Sequence, residues 1–153
     1  MLRLWHNQAV LGETELFQLN GELDELRRLA DGVARFCRRQ TAGKAMESNL
    51  NLVLEELFVN ALEHGGCQGV PDAVEIRLSS SHGAVLAEFA DRGRPFDPIG
   101  APPPNLDAPL KERAGGGLGL HFVRQLARDL DYRRQGPWNR LTFRLPCWET
   151  DTP

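Results

Sequence analysis

A long segment of helical periodicity, from Leu50 to His64, constrains the fold more than any other feature of the sequence. At roughly 100° per residue, its apolar side chains share one broad face, which has to be buried against another element. That face consists of Leu50, Val53, Leu54, Leu57, Phe58 and Ala61. We expect Ser48 or Asn49 to cap the start of this helix, and the helix to end before Gly65. A sheet covered on one side by this helix satisfies that requirement.

The rest of the chain alternates between strand and helix patterns without an internal repeat. Period-two alternation and turn residues predict strands, and apolar residues three and four apart predict helices. The further elements are strands over 13–20, 73–80, 83–90, 132–135 and 139–145, and helices over 22–40 and from 115–119 to 130. This order predicts a single domain over 1–153 with its core at about 13–146 and a loose tail, built as an α/β (α+β) two-layer sandwich with helices on one face of a mixed or antiparallel sheet.

The composition of the chain argues against several classes of protein. The 153 residues are 41% hydrophobic and 25% charged, and no apolar run approaches the roughly 20 residues of a transmembrane helix. The first residues lack the apolar region of a secretory signal, so we expect a cytoplasmic protein. A net charge of -3 gives no basis for direct nucleic-acid contact. Cys37, Cys67 and Cys147 form no C-x-x-C pair, which indicates buried or incidental thiols rather than disulfides or zinc ligands.

Three polar side chains share one flank of the long helix. Glu56 and Asn60 are i, i+4 neighbours, and Glu63 follows three residues later. The side-chain carbonyl of Asn60 suits Mg²⁺, and the carboxylate of Glu56 suits a general base beside a bound phosphate. Taken alone, the flank is equally typical of a solvated polar edge.

Two glycine motifs follow in the chain. Asp91 comes directly after a strand, where its carboxylate can accept a hydrogen bond from an exocyclic amine such as that of adenine, and Gly93 permits close approach. The alternative for this segment is an ordinary turn. The run from Gly115 to Gly119 opens a helix and offers backbone N–H groups for phosphate, or else forms a flexible hinge. Between them, a stretch from 91 to 113 carries six of the ten prolines and is predicted to be a loop or lid.

In combination, these motifs resemble the N, G1 and G2 boxes of the GHKL ATPases, which share the Bergerat α/β fold. The boxes are Glu56-x-x-x-Asn60, Asp91-x-Gly93 and Gly115-x-Gly117-x-Gly119. The stretches 60–65, 91–98, 116–126, 131–134 and 139–142 are similar, further, to the anti-sigma-factor serine/threonine kinases. The resemblance spans roughly Phe17 to Leu145, and three ordered motifs are more specific than any one.

The resemblance implies a role for each motif residue. Glu56 would be the general base, and Asn60 would bind Mg²⁺. Asp91 would read the adenine amine of ATP, with Gly93 allowing close approach. The residues expected to wrap the phosphates are Gly115, Gly117, Leu118 and Gly119, with the Leu118 side chain expected to pack. Thr142, on the last strand, would bond near the adenine through water.

The resemblance also implies a function and partners. The chain would be an ATP-dependent protein-serine/threonine kinase that acts as an anti-sigma factor in a partner-switching system. Its substrate would be an anti-anti-sigma factor of the STAS type, and it would hold a sigma factor inactive. Kinases of this branch are commonly dimers, so a homodimer is an expectation, with neither nucleic acid nor membrane as a direct partner. Two alternatives stay open: a non-catalytic ATP-binding module that sequesters a regulator, and a histidine-kinase catalytic domain.

Several other charged or polar residues are expected to be structural. His64 is expected to end its helix, and His121 to face the core or solvent. Five arginines lie on the helix over 22–40 and fit either a solvated face or a docking patch for an acidic partner. They are Arg27, Arg28, Arg35, Arg38 and Arg39.

Overall fold

In the part of the chain that the structure describes, five strands form one sheet, and three helices lie against one of its faces. The computed structural model describes residues 14–100, 107 and 117–146, with the backbone alone for Gly117 and Leu118. The elements are β1 (Glu15–Leu19), α1 (Glu25–Arg39), α2 (Lys44–Glu63), β2 (Val74–Ser81), β3 (Ala84–Asp91), α3 (Gly117–Leu126), β4 (Arg128–Gln135) and β5 (Trp138–Leu145). The predicted order of strands and helices is confirmed. Most of the predicted lid and the C-terminal tail lie outside the described residues.

The sheet has the strand order β1-β2-β3-β5-β4, and every neighbouring pair is antiparallel. Of the two predicted alternatives, mixed and antiparallel, the second is therefore correct. Tight hairpins produce this arrangement. His82 and Gly83 both adopt positive φ, at 49° and 77°, between β2 and β3, which is the signature of the two-residue turn whose twist matches that of paired strands.

The core lies between this sheet and the helices. The predicted apolar face of α2 is buried throughout, and Leu50, Val53, Leu54 and Phe58 are fully buried. On the sheet side, alternate residues of each strand point to the helices, as the pleat requires. In β2, β3 and β5 these residues include Val74, Ile76, Leu78, Val85, Ala87, Phe89, Leu141, Phe143 and Leu145. The long helix is thereby fixed across the middle of the sheet.

The start of α2 differs from the prediction. The helix begins at Lys44, after an extended Gly43 that makes no side-chain cap, and not at Ser48 or Asn49. Met46 explains the difference, because its side chain is buried in the core and an additional helical turn is needed to carry it there. Burial outweighs the local capping preference at this end.

The connection between the last helix and the last hairpin also differs from the prediction. The helical pattern of the sequence continues to Leu130. In the structure, α3 ends at Leu126 and β4 begins at Arg128 rather than at Tyr132. Pairing with β5 accounts for this, because Arg128 pairs with Arg144 and the Asp129 carboxylate accepts a hydrogen bond from Arg144 Nε at 2.9 Å. A register shift between Arg128 and Asp131 accommodates the early strand start.

In the part of the chain that the structure describes, no helix combines the length and apolarity needed to cross a membrane.

Candidate functional site

A cavity of about 360 Å³ opens between α2 and the sheet, at the end where β3 delivers Asp91. Its floor is apolar, and its rim carries polar groups from α2, from the loop after β3, and from the last hairpin. A mostly apolar cleft with a few convergent polar groups is typical of a small-molecule site. It is lined by Leu57, Asn60, Ala61, His64, Gly65, Phe89, Asp91, Arg94, Pro95, Phe96, Pro98, Tyr132, Asn139 and Leu141.

Asp91 presents one carboxylate oxygen to protein groups and keeps the other free. Its Oδ1 accepts hydrogen bonds from the Gly93 backbone N–H at 2.8 Å and from Asn139 Nδ2 at 2.9 Å. Its Oδ2 accepts no hydrogen bond from the described residues. Burial raises the pKa of Asp91, and the hydrogen bonds from Asn139 and Gly93 and the charge of Arg134 oppose that rise. The free oxygen is an acceptor for a donor inside the cavity.

Gly93 is required at its position because the backbone is crowded there. A Cβ at this residue would stand 2.7 Å from Asp91 Oδ1 and 2.9 Å from the carbonyl oxygen of Gly65. The same carbonyl accepts a hydrogen bond from the Arg94 N–H at 2.9 Å. Glycine thus lets the end of α2 and the loop after β3 meet beside the carboxylate.

Asn139 is a site residue that the sequence analysis did not single out. Its side chain is only 6% exposed, and it joins Asp91 to the loop and to β4. A sequence signal for it exists: Asn139, Leu141, Phe143 and Leu145 alternate along β5, so an inward-facing polar residue begins an otherwise apolar row. A buried polar side chain at such a position needs partners, which points to a network.

The polar flank of α2 contributes to two sides of the site. Asn60 lines the cavity, and Glu56, one turn earlier, lies against the beginning of α3. A Cβ built on Gly119 would stand 2.1 Å from Glu56 Oε2. Burial, followed by the charges of Glu55 and Glu63, raises the pKa of Glu56. The structure therefore brings Glu56 and Gly119 together, one helical turn from Asn60.

The glycine-rich motif is described only in part. Gly117 and Leu118 form the first turn of α3, Gly119 contacts Glu56, and Gly115 lies outside the described residues. The beginning of α3 faces the flank of α2 that carries the carboxylate. Backbone N–H groups at a helix start favour anions, so the position suits a phosphate cradle of the kind that the motif predicts.

Comparison with known proteins gives the family. The family model described as Histidine kinase-like ATPase domain matches residues 19–145, most of the chain. The chain belongs to this family of ATPase domains. The GHKL resemblance is confirmed by this match, and ATP binding follows from membership. Among curated proteins, none is significantly similar to this ATPase domain.

Three solved structures are similar to this chain at low sequence identity, and the first of them shares its fold. The RsbU and RsbW domains of Rv1364c from Mycobacterium tuberculosis superpose with a TM-score of 0.63 and 15% identity, over 88% of this chain and 32% of that one. A blue-light activated histidine kinase from Erythrobacter litoralis gives 0.48 and 18%, over 85% and 43%. The histidine kinase AdeS from Acinetobacter baumannii gives 0.46 and 16%, over 97% and 74%. The ATPase domain spans about a third of the first of these chains.

Thr142 does not lie at the cavity. It alternates with Leu141 on β5 and pairs with Glu88 of β3 and Asp131 of β4. Because Leu141 lines the cavity, Thr142 points to the opposite face of the sheet. There it is buried, and its hydroxyl has no hydrogen-bond partner in the described part of the molecule. The residues of β5 that line the cavity are Asn139 and Leu141.

The structure also locates the two histidines. His64 is the C-cap of α2, as predicted, and it additionally lines the cavity, with its Nε2 3.9 Å from Glu63 Oε2. His121 is half-buried on α3, and its ring centroid lies 6.1 Å from that of Phe122. Of the two, only His64 is positioned to contact a bound molecule.

The arginines of α1 are largely engaged with the chain's own acids. Arg35 and Arg39 both pair with Glu15 of β1, and Arg28 pairs with Glu25 at 2.9 Å. These contacts favour the solvated-face alternative over the docking patch for those three positions, because the charge that would attract a partner is already balanced within the domain.

No group of three or more His, Cys, Asp or Glu side chains that could hold a metal occurs among the described residues. Mg²⁺ usually takes most of its ligands from phosphate and water and few from protein side chains. Asn60, the residue expected to bind Mg²⁺, lines the cavity. Burial raises the pKa of Cys37 and of Cys67 to about 11, so both are inert thiols; Cys147 lies outside the described residues.

Proposed function

We propose that the chain is an ATP-dependent protein-serine/threonine kinase and acts as an anti-sigma factor in a cytoplasmic partner-switching system. Its substrate would be a STAS-type anti-anti-sigma factor, and a sigma factor would be the second partner. The observation that carries the proposal is the contact between Glu56 and Gly119. That contact places the Glu56 carboxylate beside the first turn of α3. Asn60, which lines the cavity, lies one turn further along α2.

The Asp91 end of the cavity supports adenine as the base of the nucleotide. Asp91 Oδ2 is an acceptor without a partner among the described residues, and Gly93 lets the backbone at the end of α2 approach the carboxylate closely. An exocyclic amine donates two hydrogen bonds and suits this carboxylate, whereas the carbonyl group at the same position of guanine would face it with a second acceptor. ATP rather than GTP is therefore the expected substrate.

The position of Glu56 beside the start of α3 supports phosphoryl transfer to a hydroxyl. The hydroxyl oxygen of a substrate Ser or Thr bonds to the γ-phosphorus, the bond from that phosphorus to the bridging oxygen breaks, and ADP leaves. The hydroxyl proton passes to a carboxylate oxygen of Glu56, whose raised pKa strengthens it as a base. Mg²⁺, held at Asn60, would neutralise charge on the transferred group. Gly117 and Gly119 would offer backbone N–H groups to the phosphates.

Phosphorylation would also release the substrate. A phosphate adds a charge of about -1.5 to -2 at pH 7. Placed near Glu56 and the loop of Asp97, whose Oδ1 accepts a hydrogen bond from the Ile99 N–H at 2.9 Å, it would meet negative charge and weaken the complex. The kinase would then be free to hold its sigma factor.

The direct test is transfer to a candidate antagonist. The chain is incubated with Mg²⁺, ATP and a STAS protein encoded beside it, and the products are weighed by mass spectrometry. One added phosphate that is stable to acid, located on Ser or Thr, supports the proposal. An acid-labile phosphohistidine would instead indicate a histidine-kinase catalytic domain. ATP binding without transfer would indicate the non-catalytic module that sequesters a regulator.

A further inference from the structure

The side chain of Asn139 uses both of its donor hydrogens on protein acceptors. Its Nδ2 donates to Asp91 Oδ1 at 2.9 Å and to the backbone carbonyl of Arg94 at 2.8 Å. One bond orients the carboxylate at the end of β3. The other holds the loop that leaves β3, so that a single amide fixes both.

The Asn139 carbonyl oxygen is equally occupied. Oδ1 accepts hydrogen bonds from Tyr132 Oη at 2.7 Å, from the Phe96 N–H at 3.3 Å and from Arg134 Nη1 at 3.3 Å. Arg134 Nη1 donates as well to the Gly93 carbonyl at 2.7 Å. Donors on one side and acceptors on the other fix which way the amide points.

These contacts leave Asn139 with no hydrogen-bonding capacity for a ligand, although it lies in the cavity wall. We propose that Asn139 is a positioning residue for nucleotide recognition: it holds Asp91 Oδ1 and the loop from Gly93 to Phe96 in one fixed frame, so that Asp91 Oδ2 remains directed at the adenine. The inference rests on the proposed binding of ATP at this cavity. It adds a residue that the three sequence motifs do not contain.

The frame joins elements that are far apart in the chain. β3 supplies Asp91, β5 supplies Asn139, and β4 supplies Tyr132 and Arg134. The same amide bonds residues on both sides of Pro95, in the part of the cavity wall that leads to the predicted lid. Movement of that loop and loss of the Asp91 orientation are therefore coupled through Asn139.

The pH dependence of binding separates positioning from a general structural role. The titratable groups around Asp91 are Tyr132 and Arg134 from β4, Arg94 from the loop, and His64 and Cys67 from the end of α2 and the turn after it. All of them are unchanged in a variant at Asn139. The ratio of variant to wild-type affinity at each pH therefore isolates the bond between residue 139 and Asp91.

The sharpest variant is Asn139→Asp, which keeps the shape and replaces the donor amino group by an acceptor. At pH 8 two carboxylates would face each other, and we expect ATP affinity by calorimetry to fall by about tenfold to a hundredfold. At pH 5.5 the new carboxyl, sharing one proton with Asp91, can donate again. The loss of ATP affinity relative to wild type should then be about tenfold smaller than at pH 8. Asn139→Ala should lose affinity at both pH values without recovery.

A second position covers the case in which variants at Asn139 do not fold. Arg134→Gln removes the donor to Asn139 Oδ1 and to the Gly93 carbonyl, and Arg134 is not part of the cavity wall. We expect ATP affinity to fall several-fold. The matched control is its exposed neighbour, Arg133→Gln, which should bind as wild type because the Arg133 side chain pairs with Asp131 rather than with Asn139 or Gly93.

The outcomes are distinct from those for the function itself. If wild type fails to bind ATP, the proposed function is wrong. If wild type binds and Asn139→Asp binds equally at pH 8, or loses affinity by the same factor at pH 8 and pH 5.5, Asn139 does not position Asp91. If the Asn139 variants are unfolded by circular dichroism, equal affinity of Arg134→Gln and Arg133→Gln overturns the inference, and a selective loss in Arg134→Gln supports it.

Discussion

Two carboxylates, Asp91 in the cavity wall and Glu56 beside the start of α3, are placed by opposite means. Asp91 is fixed by hydrogen bonds to one of its oxygens, from Gly93 and Asn139. Glu56 accepts no hydrogen bond from the described residues and is located by close packing against Gly119. Both have a raised pKa, chiefly from burial. The first arrangement suits recognition, which needs a fixed acceptor, and the second suits a base, which needs an oxygen free to take a proton.

The largest expected effect is at Glu56. Glu56→Gln keeps the size of the side chain and removes its basicity, so phosphate transfer should fall by about 10²–10⁴-fold, while ATP affinity stays within a few-fold of wild type. Single-turnover transfer and calorimetry measure the two quantities. Glu47→Gln, on the first turn of the same helix, serves as the control and should transfer normally. If Glu56→Gln transfers phosphate at the wild-type rate, Glu56 is not the general base. The proposed difference in role between Glu56 and Asp91 would then be wrong.

A smaller loss is expected when the packing that locates Glu56 is disturbed. In Gly119→Ala the new methyl group would collide with Glu56 Oε2 and displace the carboxylate, and displacement of about 1 Å can lower a rate about a hundredfold. The helix itself should not suffer, because Ala is a better helix former than Gly. Reduced transfer with an unchanged or higher melting temperature is the expected pair of results. Unchanged transfer would show that the contact has no catalytic consequence.

Asp91→Asn tests the role of Asp91 in recognising the nucleotide. It should lower ATP affinity and raise the stability of the nucleotide-free protein. The amide would present a donor in place of one acceptor, and ATP affinity should fall by about tenfold to a hundredfold. Without nucleotide the variant should be the more stable protein at pH 8. Because the pKa of Asp91 is raised in the folded state, Asp91 favours the folded protein fully below its unfolded pKa of about 3.9. This contribution to the free energy of unfolding is lost as pH rises through the folded pKa, and the Asp91→Asn variant does not lose it.

Melting curves at pH 8 and near pH 4 check the sign of this stability effect. The advantage of Asp91→Asn should be present at the higher pH and disappear at the lower one. An advantage that grows on acidification would contradict the direction of the pKa shift. Equal ATP affinity for the variant and wild type would remove Asp91 from the site.

The smallest effect belongs to the far side of the sheet. Thr142→Val replaces a buried hydroxyl that has no partner among the described residues by a methyl group of similar size. We expect ATP affinity to be unchanged and the free energy of unfolding to stay within about 1 kcal/mol of wild type or to rise. A clear loss of ATP affinity, measured by calorimetry, would restore the role that the family resemblance gave to Thr142.

Local sequence patterns predicted most of the fold. Within the site, they predicted the residues of α2 better than those of β5. The apolar and polar faces of α2 follow from helical spacing alone, so Glu56 and Asn60 were found on one flank. The start of α2 was not predicted, because the burial of Met46 is a tertiary effect that capping residues do not reveal. The early start of β4 likewise depends on the pairing of Arg128 with Arg144.

Asn139 and Thr142 show where a resemblance and a physical pattern disagree. Alternation along β5 puts Asn139 and Leu141 on the inner face and Thr142 on the outer one. The resemblance directed attention to the threonine instead. The partners of Asn139 could not have been predicted from spacing, because its contact with Asp91 crosses 48 residues of sequence. Networks closed by such distant residues become visible only when the strand order is known.

The two outer strands have a consequence for how the protein behaves at high concentration. Among the described strands, β1 and β4 are the margins of the sheet, where unpaired backbone groups can recruit a further strand and start aggregation. β4 is interrupted by its register shift, by the positive φ of Asp129 and by a series of arginines, and at β1 the Arg28 guanidinium already donates to the Gln18 carbonyl. Incoming strands therefore meet arginine side chains at both margins and irregular geometry at β4, which opposes edge-to-edge aggregation.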